Sequence, residues 1–381
     1  MKSPETDSII SEAEILRERA RYQQSIRLFR KASLGCRRAG DHEGTYYCIR
    51  SLGDVYRMTG RFKDAVRMYT EAVQLARQIH SPDKAADAGI GLALSFRAQG
   101  KWQKAIQLIL RSKKRYMTNH DTQGLAFALW AEAGTLRIKG DIPGAIKTFR
   151  ESHRLFQALK DHQGIGYALC GLGGASRIAG HIRASLKYYV AANRLFSDTH
   201  DTFGKAYSFC GIANAYRMLG DYKNAFSSFA NASRLYRIIG DKVSYAYTLW
   251  GIGTAYKMTG FYQRACNHMM KAMQFFRETK DPRGILYCLL GLGEIAFLTG
   301  DATRAKKHLA SARKALATLR FGVEECHAQT LNKIINRESS VICSHTEQGI
   351  GGRRKKGLLQ ESCYRRLGLN LRFHSLPLNI P

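Results

Sequence analysis

The chain has 381 residues, 45 % of them apolar, and carries 60 Lys and Arg against 30 Asp and Glu, a formal charge of +30. That balance favours polyanionic partners: acidic peptides, nucleic acid or anionic lipid surfaces. The nine cysteines stand without any CxxC pair, which excludes a zinc-finger or thioredoxin-like motif and suits a reducing compartment. The first twenty residues have no apolar core of a signal peptide, and no apolar run reaches membrane-spanning length, so the expectation is a cytoplasmic protein without a membrane span.

Residues 1–5 read as a short N-terminal extension. From there the chain is periodic. Gly60, Gly100, Gly140, Gly180, Gly220, Gly260 and Gly300 stand forty residues apart, which marks an array rather than one irregular core. Units begin near residues 6, 46, 86, 126, 166, 206, 246 and 286, so the array covers 6–325. Upstream of each glycine a first helix is predicted to start at Asp41, Asp121, Asp161, Asp201, Asp241 or Asp281, whose carboxylates suit an N-cap. It carries Leu52-Gly53, Leu92-Ala93, Leu172-Gly173, Ile212-Ala213, Ile252-Gly253 or Leu292-Gly293, and stops at the spaced glycine, where positive φ is needed.

A second helix follows. It presents a small residue (Ala65, Ala105, Ala145, Ser185, Ala225, Ala265, Ala305), four further on a bulky one (Tyr69, Ile109, Phe149, Tyr189, Phe229, Met269, Leu309), and three beyond that another small one. Offsets of four and three lie on one helical face, so each unit is a helical hairpin that packs through this stripe. The run GLGGAS at Gly171–Ser176 looks like a phosphate loop but falls inside a predicted helix, where close packing explains it better.

At this point the chain resembles the tetratricopeptide repeat. In the unit starting at 246, Leu249, Ile252-Gly253, Tyr256, Gly260, Tyr262, Ala265, Met269 and Ala272 stand at the family's spacings. The common repeat is about 34 residues long; forty-residue repeats are similar to those of kinesin light chains and the Pins/LGN adaptors. The first unit is degenerate, with Ala20 for the glycine and Glu12 at an apolar position. The resemblance implies an all-α fold: a right-handed superhelical solenoid of about eight hairpins, closed by a capping helix over 326–338. Residues 339–381 lose the period and contain GIGGRRKKG, which reads as a basic, disordered tail.

The resemblance also implies that first helices line a concave groove, at the second, fifth, ninth and twelfth positions of each unit. The twelfth reads Arg17, Arg57, Arg97, Arg137, Arg177, Arg217 and Lys257, broken only by Phe297. The second gives Tyr47, Asp87, Phe127, Tyr167, Tyr207, Tyr247 and Tyr287; the fifth adds Trp130 and Trp250, and the ninth Asp54, Asn214, Thr254 and Glu294. A cationic rail beside an aromatic rail suits an acidic, extended segment with a few apolar anchors. Two plainer readings stand beside this one: an Arg near a helix C-terminus also suits the helix dipole, and the tyrosines could pack on the neighbouring unit. Neither an HExxH pattern nor a nucleophile elbow occurs, and no cofactor or metal site is expected, so the chain reads as an adaptor or scaffold rather than an enzyme. RNA or another nucleic acid is the runner-up partner, from the charge and the aromatics, and a self-assembling scaffold is the third reading.

Overall fold

The computed structural model describes residues 4–19, 21–319 and 321–336. The basic tail, Ala20, Arg320 and the last two residues of the expected capping helix lie outside the described residues. The described chain is wholly helical, in eight hairpins and a closing helix: α1 Pro4–Glu18 with α2 Tyr22–Arg38, α3 His42–Met58 with α4 Phe62–Gln78, α5 Pro82–Ala98 with α6 Trp102–Thr118, α7 Thr122–Lys139 with α8 Ile142–Ala158, α9 His162–Ile178 with α10 Ile182–Asp198, α11 Thr202–Leu219 with α12 Tyr222–Ile239, α13 Lys242–Met258 with α14 Tyr262–Thr279, α15 Pro282–Leu298 with α16 Ala302–Thr318, and finally α17 Gly322–Asn336. Helix therefore begins inside the expected N-terminal extension, and the closing helix starts four residues before Cys326. None of these helices is long and apolar enough to cross a membrane.

The helix ends form for the reasons the sequence offers. Asp41, Asp121, Asp161 and Asp201 each accept a hydrogen bond from the backbone N–H of the glycine three residues on, at 2.7–2.9 Å. Asp241 and Asp281 do the same with Ser244 and Gly284. All seven spaced glycines adopt positive φ, between +75° and +99°, the left-handed conformation that an L side chain resists.

The bulky residue of each second helix is the wedge between hairpins. Tyr189 is 1 % exposed; a Cβ added at Gly173, on its own first helix, would lie 2.8 Å from its ring, and one at Gly211, on the next first helix, would be closer still. Glycine at both places lets the ring lie flat between two backbones. The same pattern buries the GLGGAS run inside α9, with Gly171 against Phe149.

First helices touch the first helices of adjacent hairpins, from α3 with α5 through α13 with α15, whereas second helices make no comparable contact. First helices therefore crowd the concave side and second helices fan outward. The curvature is tight enough for the spiral to meet itself. Gly60 at the end of α3 lies against Val243 and Thr279, so the second hairpin touches the seventh, five hairpins on. A Cβ at Gly100 would lie 2.9 Å from the Phe321 ring, and Gly322 sits on the backbone of Lys139 and Gly140. Val323 packs with Ile142 and Ile178. This seam gives three of the spaced glycines a second role: besides ending a helix, they admit the next turn of the spiral.

Candidate functional site

The cationic series lines the inner side of the spiral, but it is not the open groove that the repeat pattern suggests. Exposure falls along the series. Arg17, Arg57 and Arg97 are half-buried, while Arg137 is 5 % exposed, Arg177 0 %, Arg217 1 % and Lys257 3 %. The reason is the seam: with later hairpins stacked over earlier ones, residues from opposite sides of the inner face meet. Tyr287 of α15 is within electrostatic reach of Arg137, and Arg177 within reach of both Tyr287 and Tyr189.

The two ends of the series are neutralised by carboxylates. Arg17 pairs with Glu14 at 2.6 Å, and Arg57 approaches Asp54 at 3.7 Å. At the other end Lys257 pairs with Glu294, whose second oxygen meets His327 Nε2 of the closing helix. Arg283 Nε donates to Glu324 at 2.7 Å. Between them, Arg97, Arg137, Arg177 and Arg217 make no ion pair among the described residues. Arg97 lies over the Trp130 ring, 5.5 Å from its centroid, with its tip in the space left by Gly134. Arg217 donates to Asn214 Oδ1 at 3.0 Å and approaches the Met258 sulfur. Nε of Arg137 and of Arg217, and both Nε and Nη1 of Arg177, are buried without a hydrogen-bond partner.

Burial and the neighbouring guanidinium groups push Arg97 down to about 9; burial and Arg177 do the same to Arg217. Burial also lowers Arg177. Even so depressed, these groups remain protonated at neutral pH, so the middle of the inner face is a row of four cations without counter-charge.

The aromatic series divides in a similar way. Tyr47 and Phe127 are exposed, and Trp130, Tyr167 and Tyr207 half-buried. Tyr47 donates to Glu14 at 2.7 Å, Tyr167 to Asp201 at 3.0 Å, and Phe127 stacks on Trp130 with centroids 5.6 Å apart. Tyr247, Trp250 and Tyr287 are instead core residues. Trp250 stacks on Tyr287 at 4.8 Å, and Tyr247 sits edge-on to Phe276 and Tyr287. Asn214 is fully buried and serves Arg217 rather than the surface. These four do not line an accessible groove in this closed form.

Reading the repeats alone missed Glu14, Arg283, Glu324 and His327. Glu294 carried a usable signal: it is the sole charge in the stretch Gly284–Leu298, and a lone charge in an apolar helical stretch has to find a buried partner.

A spiral of stacked helical hairpins with a patterned inner face defines a helical-repeat protein of the superhelical class. Residues 9–78 and 203–278 match the tetratricopeptide-repeat family model, so the chain carries tetratricopeptide repeats in those two stretches. No curated protein matches it in sequence. Among solved structures it is similar to a Rap protein complexed with competence and sporulation factor (TM-score 0.63, 11 % identity, over 83 % of this chain and 99 % of that one). It is similar also to the Rap conjugation gene regulator of plasmid pLS20 in complex with the Phr* peptide (0.62, 12 %, 88 % and 99 %) and to aspartyl phosphate phosphatase F from Bacillus subtilis (0.57, 10 %, 84 % and 96 %). At such identities the likeness is one of fold.

Proposed function

We propose that this protein is a cytoplasmic interaction scaffold or adaptor whose inner face holds an acidic, extended segment of a partner protein, without chemical turnover. The observation that carries the reading is the run Arg97, Arg137, Arg177 and Arg217, which has no carboxylate partner among the described residues while both ends of the same series are paired. A buried or half-buried guanidinium without counter-charge is costly to maintain, and an acidic segment would supply what the chain itself does not. Exposed Tyr47 and the Phe127–Trp130 stack give the more open end apolar area for anchoring. Two of the similar structures hold a bound factor or peptide, which agrees with a solenoid used for binding.

A fluorescent polyglutamate peptide tests the reading. Substituting Arg57, Arg97 and Arg137 together by Gln removes cations from the accessible end inward. At about 0.5–1 kcal/mol each the loss is roughly 10- to 100-fold in affinity. A folded triple variant that binds polyglutamate as tightly as the parent removes the groove from consideration. Tighter binding of unrelated oligonucleotides, with a steep log–log salt slope, would instead favour a nucleic-acid partner, the reading suggested by the +30 charge.

A further inference from the structure

The buried middle of the inner face holds guanidinium donors that have no acceptor among the described residues. Arg177 is completely enclosed, with Nε and Nη1 unpartnered, and the Nε groups of Arg137 and Arg217 on the flanking hairpins are orphaned as well. Each guanidinium is within electrostatic reach of the next. The groups that enclose them are Tyr189, Tyr207, Tyr287, Cys170 and Cys210. None of these supplies negative charge, because burial raises the pKa of each hydroxyl and thiol and keeps it protonated. The inner carboxylates Asp54, Glu294 and Glu324 are already engaged by Arg57, Lys257 and Arg283, and Asp201 accepts from Tyr167.

Three neighbouring cations with orphaned donors exceed what one carboxylate can neutralise, since it carries a single charge. A phosphate group offers more oxygens and close to two charges, and guanidinium groups match it bidentately. We propose that Arg137, Arg177 and Arg217 form an interior site for one dianionic phosphate group, either free inorganic phosphate or a phosphoryl group carried on an acidic segment. The inference rests on the inner face being the ligand-binding face. The group enters when the turns of the spiral separate and is enclosed when the seam closes.

The test is thermal unfolding of the full chain in chloride buffer, with added inorganic phosphate at matched ionic strength. A phosphoserine-containing acidic peptide and its serine counterpart form the second arm. Wild-type protein is expected to gain about 2–5 °C at saturating phosphate. Arg177→Met is expected to melt higher than wild type in chloride, because it removes an uncompensated buried charge, and to lose the response. The general effect of phosphate as a salt is common to both proteins, so the difference between them is the signal. Arg217→Met repeats the test independently. A response to inorganic phosphate identifies a free anion, and a response to the phosphopeptide alone identifies a carried phosphoryl group.

A wild type unmoved by either ligand overturns the proposal, as does full retention of the response in both Met variants. Met variants that fail to fold in chloride overturn it too, since they show that the guanidinium groups are not uncompensated. Polyglutamate binding without a phosphate response removes this inference alone. A phosphate response without polyglutamate binding removes the acidic-segment reading alone.

Discussion

Glu294→Gln tests how the closed spiral tolerates charge in its interior. Glu294 is 0 % exposed and touches Lys257, 3 % exposed, and His327. Burial and the Arg217 guanidinium disfavour the Lys257 ammonium, and the contacting Glu294 carboxylate is the group that offsets them. Breaking a buried pair from one side costs about 3–5 kcal/mol. An independent ceiling follows from titration: once Glu294 is neutral, Lys257 escapes the penalty by releasing its proton, which costs about 4.6 kcal/mol at pH 7 and about 2 kcal/mol at pH 9 for a reference pKa near 10.4. In the variant the unfolded chain then binds more protons than the folded one, so its stability rises with pH by up to about 1.4 kcal/mol per unit. Urea unfolding followed by circular dichroism at pH 7, 8 and 9 should show a deficit of several kcal/mol relative to wild type that shrinks toward pH 9. Adding Lys257→Met should restore most of the loss at every pH. A deficit below about 1 kcal/mol, or one equally large at pH 7 and pH 9, would refute the argument that a buried ammonium is being stranded.

Two further outcomes are expected. Burial raises the Asp241 carboxyl to about 6, above its unfolded value, so the folded chain holds a proton that the unfolded chain releases and stability falls as pH rises from about 4 to 6. Asp241→Asn, which keeps the N-cap, should match wild type near pH 4 and exceed it above pH 6 by up to about 3 kcal/mol in urea titrations. Phe321 is fully buried against Gly100; Phe321→Ala should lower stability by about 3–5 kcal/mol and enlarge the radius of gyration in X-ray scattering, and an unchanged radius would mean that the seam does not depend on this ring.

Much of the fold was legible because the determinants are local. Asp41 and Gly44, or Gly173 and Tyr189, act within one hairpin or between neighbours, and a forty-residue ruler brings them into register. The second-helix ends were less legible. His80, His120, Lys160, His200 and Lys280 take the left-handed conformation without being glycine, with φ near +55°, and nothing in those side chains announces it. The site was read by face but not by depth. The twelfth position points inward in an open spiral and in a closed one alike, and Arg is ordinarily a surface residue, so Arg177 carried no mark of burial. What buries it is contact between Gly60 and Val243 and between Gly100 and Phe321, residues about two hundred positions apart, which no repeat consensus encodes.

The seam also changes what the number of repeats means. In an open array a hairpin can be gained or lost with effects felt only next door, and stability adds up link by link. Here the second hairpin must arrive under the seventh, and Phe321 must arrive over Gly100. Deleting or duplicating any hairpin between them would put every later contact out of phase, so the count is fixed by closure as firmly as a barrel's strand number. The array behaves as a ring with a defined circumference, and it should unfold as one body instead of fraying from its ends.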